Sequence, residues 1–379
     1  MTKNVLTCAG LFYAATYIDQ TGAASYLLWP VYWFFQGSYL TGIWVIIAHE
    51  CGHQSYCSSE VVNNLIGLVL HSALLVPYHS WRISHRKHHS NTGSCENDEV
   101  FVPVTRSAIT SSWDETLEDS PLYQLYRIAY MLVVGWMPGY LFFNATGPTK
   151  YWGKSRSHIN PYSAIYADHE CWMIVLSDSL LVLMLCVLTV LVYAFSFSTM
   201  VMFYVVPYFI VNAYLVLITY LQHTDTYIPH IREGEWNWLR GALCTVDRSF
   251  GPYLDSVIHR IADTHVCHHL FSRMPFYHCE EATNAMKPLL GNDSDGGDAV
   301  RTQQTQGVGI YRYLGNKSEN SIGLDYSFRS HEFSDARGVG SAVARVGPEF
   351  KTCFEVNSGT SRDVEFDTTS TAEFVIVCK

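Results

Sequence analysis

The chain has 379 residues, 49% of them hydrophobic and only 15% charged, against roughly 25% charged in an average soluble domain. That balance, with 14% aromatic residues, excludes an ordinary soluble globule and points to a membrane protein with wet segments attached. A formal net charge of −10 and the lack of any basic run exclude nucleic acid as a partner.

Taken in chain order, the apolar stretches set the architecture. Residues 4–18 are mostly apolar, short for a span, and end at Asp19 without a small-residue cleavage pattern, so they do not read as a removed signal peptide. Residues 23–48 follow, running into HECGH. Residues 62–78 are apolar but again short, and lead into HRKHH. Residues 126–144 are apolar and aromatic-rich. From 171 to 221 the chain is nearly continuously apolar, with Asp178 its only charge. A helical span needs about 20 residues, so this run holds two, with the Ser-rich FSFST at 195–199 as the turn between them. HVCHH follows at 265–269. Beyond Gly291 the chain becomes rich in Gly, Ser, Thr and Asp, which reads as a mildly acidic soluble appendage, 292–379, partly disordered, with a strand in its closing AEFVIVCK. No chemistry is evident in it, and His331 reads as a surface residue.

The three histidine windows carry the functional signal: His49 and His53; His85, His88 and His89; His265, His268 and His269. On a helix, positions i, i+3 and i+4 share a face, so each window aims two or three imidazoles at one point. With 17 histidines, an HxxxH spacing arises by chance about once per chain and HxxHH in about one such chain in thirty. HxxHH occurs twice here, so the pair is informative where HECGH alone is weak. Neutral imidazole binds first-row metals. One zinc takes three or four protein ligands, so eight histidines imply two metals held between helices. His223, in YLQHTD at the end of the second long run, lies at the same depth as His49 and joins the set as a ninth ligand. Histidines 71, 79, 158, 169, 230, 259 and 278 lack such clustering and read as packing or hydrogen-bonding residues. Thiolate clusters are absent, which disfavours iron–sulfur chemistry. The eleven cysteines show neither a CxxC pair nor an even framework, as reduced thiols do. Cys51 and Cys267, inside two windows, read as small fillers. Asp98, Glu99 and Asp263 are the candidate carboxylates for the second imidazole nitrogens, and Gly52 is a candidate point of close helix approach.

Topology follows from parity. All windows must lie on one membrane face, so 4–18 with 23–48 and 171–195 with 200–221 form two hairpins. Residues 62–78 and 126–144 must then lie in the interface or re-enter. Every Lys and Arg falls on the window side, which the positive-inside rule makes cytosolic. The expected fold is therefore an all-α membrane protein: four transmembrane helices in two hairpins, interfacial helices, and a cytosolic cap carrying a di-metal site.

Longer text carries a family resemblance: LTGIWVIIAHECGH, GLVLHSALLVPY, SHRKHHSNTGSCENDEVFVP, LVLITYLQHTDTYIPH, EWNWLRGALCTVDRSFG and DTHVCHHLFSRMPFYH. Over roughly residues 5–291 the chain resembles the membrane-bound fatty acid desaturases, and within them the Δ12 oleate desaturases of the endoplasmic reticulum. The resemblance implies a desaturase domain over 1–291 followed by a divergent tail, 292–379. It implies a di-iron centre held by His49, His53, His85, His88, His89, His265, His268 and His269, with His223 as the additional ligand outside the boxes. It also implies O2-dependent desaturation of a phospholipid-linked oleoyl chain to linoleoyl. Electrons would come from NADH through a reductase and a separate cytochrome b5, for which Arg82, Arg86 and Lys87 form a candidate docking patch. Homo- and hetero-oligomers are both compatible with it. Alternatives remain open: a hydroxylase, epoxygenase, acetylenase or ω-3 desaturase on the same scaffold, or a non-catalytic metal-binding membrane protein such as a transporter or receptor. Transporters place polar ligands at mid-membrane, whereas these gather at helix ends.

Overall fold

The computed structural model describes residues 2–102, 120–224 and 228–290, together with two short strands at 341–344 and 374–377. The chain divides into two compact units, Met1–Tyr277 and His278–Lys379.

The first unit is helical. α1 (Thr2–Ala15) packs against α2 (Ser25–Ile43), joined by a 3-10 segment, Ile18–Ala24. α2 continues without a break through a π-helical turn, Trp44–His49, into Glu50–His53. A π turn inserts an extra residue into the helical repeat and is common at functional sites; here it lies directly before the first histidine box. The Glu60–Ala73 helix, α3, starts at Ser59, whose side chain accepts a hydrogen bond from the Val62 N–H. It ends at Ala73; Leu75, two residues on, has a positive φ and is followed by Val76 and Pro77. A residue before proline is biased out of the helical region, so the chain turns and α4 (Tyr78–Asn91) leaves at 106°. A break this sharp belongs to a broken span or to a re-entrant segment; an interfacial or re-entrant placement was expected for 62–78. α5 (Pro121–Val134) has its N-cap in Ser120. α6 (Cys171–Phe195) and α7 (Val206–His223, preceded by Phe197–Met200 and a π turn) form the long apolar hairpin. The cap is built from the short helices α8 (Trp238–Ala242), α9 (Pro252–Val257) and α10 (His265–Leu270), and from the start of α11 (Phe276–Leu290).

Among the described residues, three helices are long and apolar enough to cross a membrane: Ile18–His53, Asp168–Phe195 and Phe197–His223; the bent α3–α4 pair would make a fourth. The expected first span, 4–18, is a 14-residue helix, about 21 Å long against a hydrocarbon core of about 30 Å. It packs against α2, and Asn4 Nδ2 donates to Val257 O of α9 at 3.0 Å. The outer face of α6 leaves Val182, Leu183, Leu185, Val187 and Val190 exposed, an apolar strip that water would penalise and lipid accepts. α2 and α7 pack closely, because a side chain on Gly37 would run into Ile210, and Ser38 Oγ meets Tyr214 OH at 3.2 Å. The central core lies below the cap and joins Trp44, Trp81, Trp136, Leu141, Val211 and Leu215.

In the second unit, the strands β1 (Ser341–Ala344) and β2 (Phe374–Val377) pair antiparallel, Ser341 opposite Val377. The strand expected in AEFVIVCK is present. The expected disorder of the tail and the surface placement of His331 fall outside the described residues.

Candidate metal centre

Four separated segments converge on one spot. His49 and His53 end the α2 span, His223 ends α7, and α4 and α10 bring the other two boxes across. One nitrogen each from His49, His53, His85, His89 and His268 lie within 4.8 Å of one another, and those of His88, His223 and His269 form a second such group. His265 adjoins the second group, its Nε2 3.1 Å from His223 Nε2. The groups touch where the His89 and His269 rings stack at 4.1 Å. All nine histidines expected to act together are therefore brought together. No cysteine joins either group among the described residues, although Cys51 and Cys267 are fully buried beside them.

The nitrogen spacing fits shared ions. His49 Nε2 lies 3.1 Å from His85 Nε2 and 3.2 Å from His53 Nε2. His85 Nε2 lies 3.0 Å from His53 Nε2 and 3.2 Å from His89 Nε2. Two nitrogens bound to one ion at about 2.0–2.1 Å, with roughly 90–105° between the bonds, sit about 2.9–3.3 Å apart. Those angles are tighter than tetrahedral and suit five or six ligands, as a five-histidine group needs. In addition, His268 Nε2 and His269 Nε2 are buried without any hydrogen-bond partner. An orphaned lone pair of this kind costs about 1–3 kcal/mol and is satisfied by a cation. Burial pushes His265 down to about 3 against the pull of its bond to Ile261 O. His268 and His269 also fall well below the ordinary imidazole value, through burial first and neighbouring histidines second. These rings are thus neutral near pH 7, the ligating form.

The second nitrogens fix ring orientation. Asp98 Oδ1 lies 2.7 Å from His88 Nδ1, and the same carboxylate accepts from Gly93 N at 2.9 Å and Val100 N at 3.1 Å. His265 Nδ1 donates to Ile261 O at 3.1 Å, and His269 Nδ1 pairs with Thr92 Oγ1 at 3.1 Å. Of the three expected carboxylates, Asp98 is the one seen on a ligand-box histidine. Glu99 Oε1 accepts from Tyr151 OH at 2.6 Å, and Asp263 pairs with Arg260 at 3.0 Å. Sequence reasoning missed Thr92. The available signal was its place one helical turn past His88, whose carbonyl its hydroxyl also reaches at 2.8 Å. Glu50, inside the first box, accepts from Ser55 Oγ at 2.8 Å and Phe276 N at 3.3 Å and so ties the box to the cap. Gly52 has its expected role, since a Cβ there would strike the Trp81 ring, which stacks on His85 at 4.5 Å and 19°.

A cavity of about 160 Å³ abuts the first group; His53, His85 and His89 line it together with Arg82, Arg86 and Arg273. Arg82 is held by Asn64 at 3.1 Å and Glu60 at 3.4 Å, Arg86 by Glu170 at 3.2 Å, and Lys87 turns to Ile165 O.

The fatty acid desaturase family model matches residues 27–295. The chain belongs to the fatty acid desaturase family. Relatives of this desaturase agree. A Δ12 fatty acid desaturase of Mortierella alpina is 50% identical over 300 residues, covering 74% of this chain and 73% of the relative. A Δ12 acyl-lipid desaturase of Punica granatum is 49% identical over 292 residues, covering 76% and 73%. An ω-6 fatty acid desaturase of Glycine max, an endoplasmic reticulum isozyme, is 47% identical over 288 residues, covering 76% and 73%. As a desaturase the chain is an oxidoreductase enzyme of the membrane, with a histidine cluster able to hold metal.

Proposed function

We propose that the chain is a Δ12 acyl-lipid desaturase. It removes two hydrogens from an oleoyl chain carried in a phospholipid, with O2 as oxidant, and yields linoleoyl. The observation that carries the reading is the convergence of imidazoles from four distant segments into two adjoining groups; the names of the relatives supply the Δ12 position. Two irons, bound by His49, His53, His85, His89 and His268 on one side and His88, His223, His265 and His269 on the other, supply the chemistry that activates O2 toward an unactivated C–H bond. The protein's own part is position and exclusion of water. Asp98, Thr92 and Ile261 O hold three rings in orientation, and the surrounding Trp44, Trp81 and Trp136 keep the inner side of the site dry.

In this reading residues 1–291 are the desaturase domain and 292–379 a separate tail. The site faces the cytosol at the endoplasmic reticulum membrane, and electrons come from cytochrome b5 and its NADH-dependent reductase. Arg82, Arg86 and Arg273 around the cavity, with Lys87 beside them, give an acidic donor a complementary approach.

Expression in yeast that lacks linoleate tests the proposal. Gas chromatography of total lipids is expected to show a new Δ9,12 diene. A hydroxy, epoxy or acetylenic product would move the chain to the alternative chemistry on the same scaffold. A triene from supplied linoleate would make it an ω-3 enzyme, and no new product would overturn the proposal.

A further inference from the structure

An aromatic chain leads away from the histidines. Trp81 stacks on His85 at 4.5 Å, Trp44 meets Trp81 at 5.2 Å, Trp136 meets Trp44 at 6.3 Å, and Tyr140 stacks on Trp136 at 5.0 Å. Every step is an aromatic ring contact. The chain ends in a polar device. Tyr140 OH lies 2.7 Å from Ser84 Oγ, and Ser84 Oγ lies 3.1 Å from His158 Nε2. His158 Nδ1 donates to Tyr140 O at 3.0 Å, which fixes the tautomer and leaves Nε2 as an acceptor.

Packing alone does not account for these residues. The indole N–H groups of Trp44 and Trp136 are buried with no hydrogen-bond partner, which costs each its lost hydration. Phenylalanine would fill much of the same space without that cost. Indole and phenol, unlike aliphatic or phenyl side chains, give up an electron readily. An oxygen-activating site that fires without substrate holds an oxidising equivalent that otherwise attacks its own ligands.

We infer that Trp81, Trp44, Trp136 and Tyr140 carry such an equivalent from the histidine site to Tyr140, where Ser84 and His158 take up the phenolic proton. The inference rests on the proposed iron-binding reading. One electron passes from Trp81 toward the site; Trp44 refills Trp81, Trp136 refills Trp44, and Tyr140 refills Trp136. Tyr140 releases its proton to Ser84 Oγ as the Ser84 hydroxyl proton, which also has Trp81 O within reach at 3.1 Å, moves to His158 Nε2 at the same distance. A reductant of the thiol or ascorbate class returns the electron to Tyr140, a half-buried residue whose hydroxyl points inward to Ser84, and His158 returns the proton through Ser84. At rest His158 is neutral, because burial pushes it down to about 4.

The test uses the full chain purified in detergent, loaded with iron, reduced chemically and exposed to O2 without acyl substrate. Bound iron is measured on every sample. Freeze-quenched wild type is expected to show a tyrosyl radical by electron paramagnetic resonance. Tyr140→Phe, which keeps the ring and its stack on Trp136, should abolish it, and Trp136→Phe should lower it several-fold. In both variants peptide mass spectrometry should find oxygen added at Trp81 or His85 several-fold more often than in wild type. A radical unchanged in Tyr140→Phe, or no rise in oxidation at Trp81 and His85, overturns the relay while the iron reading stands. Wild type that retains no iron overturns both.

Discussion

Asp98 gives the most direct probe of how the metal site is built. Its two oxygens serve three N–H donors: His88 Nδ1 and Val100 N on Oδ1, Gly93 N on Oδ2. Asp98→Asn keeps size and shape but offers a single acceptor oxygen. If that oxygen stays on His88, the new NH2 faces the Gly93 N–H, donor against donor, and a buried group goes unpaired at about 1–3 kcal/mol. If the amide flips, His88 loses its partner. Loss of such a carboxylate partner typically weakens metal binding 10–100-fold, or about 1.4–2.7 kcal/mol. The assay is iron retained per chain after a graded chelator challenge in detergent, read beside thermal unfolding. Glu99→Gln is the control: Glu99 is equally buried one residue away, yet it serves Tyr151 rather than a histidine. It should lose stability without a selective loss of iron. If Asp98→Asn held iron as tightly as wild type, the orienting role of the carboxylate would be refuted.

Three further outcomes follow from the geometry. His268→Ala should abolish the diene and lower bound iron while the protein still inserts, as membrane fractionation would show; activity retained would remove His268 from the ligand set. Gly52→Ala places a methyl group against Trp81; overpacking of this kind costs about 1–3 kcal/mol and here tilts the ring stacked on His85. It should therefore lower both melting temperature and iron content, and full activity would show that Gly52 is a mere spacer. Acidification should release metal and destabilise the cap. The folded values of His265, His268 and His269 are depressed, so their stabilising contribution is complete above the unfolded value near 6.5. It fades as the pH falls from there toward the folded value of about 3 for His265. Iron content that stayed flat from pH 7 to pH 4 would contradict the assignment.

Much of the site was legible because its spacing is local. HxxHH and HxxxH put imidazoles on one helix face whatever the fold does next, and the depth argument found His223 from where an apolar run ends. The orienting groups were less legible, since hydrogen bonding is decided by tertiary approach. Asp98, Glu99 and Asp263 are alike as sequence neighbours of the boxes, yet only Asp98 lies where the chain turns back after α4; Arg260 takes Asp263 and Tyr151 takes Glu99. Thr92 and the Ile261 carbonyl have no signature of their own. In the fold, the apolar run at 62–78 revealed its length but not its 106° break, which arises from Leu75 and Pro77 acting together. The stretch 4–18 is the opposite case. Hydropathy alone marks it as a span, while the helix that forms is 14 residues long and packs on α2.

The division of labour among the helices explains why the site needs so many ligands. α10 is six residues long, below the ~12–15 residues at which an isolated helix becomes even marginally stable, yet it supplies three of the nine imidazoles. Beyond its own helical bonds, Asp247 Oδ1 accepts from Val266 N at 2.8 Å and Thr264 O accepts from His268 N at 3.1 Å. His49 and His223, by contrast, end helices long enough to cross the bilayer. An ion shared between His268 and His49, or between His269 and His223, therefore links a weak element to a strong one, and its binding energy becomes folding energy for the cap. A site with fewer ligands could hold iron on α2 and α4 alone. One that also closes the cap over the membrane helices draws imidazoles from α10 as well, and so ties a short helix to the long ones.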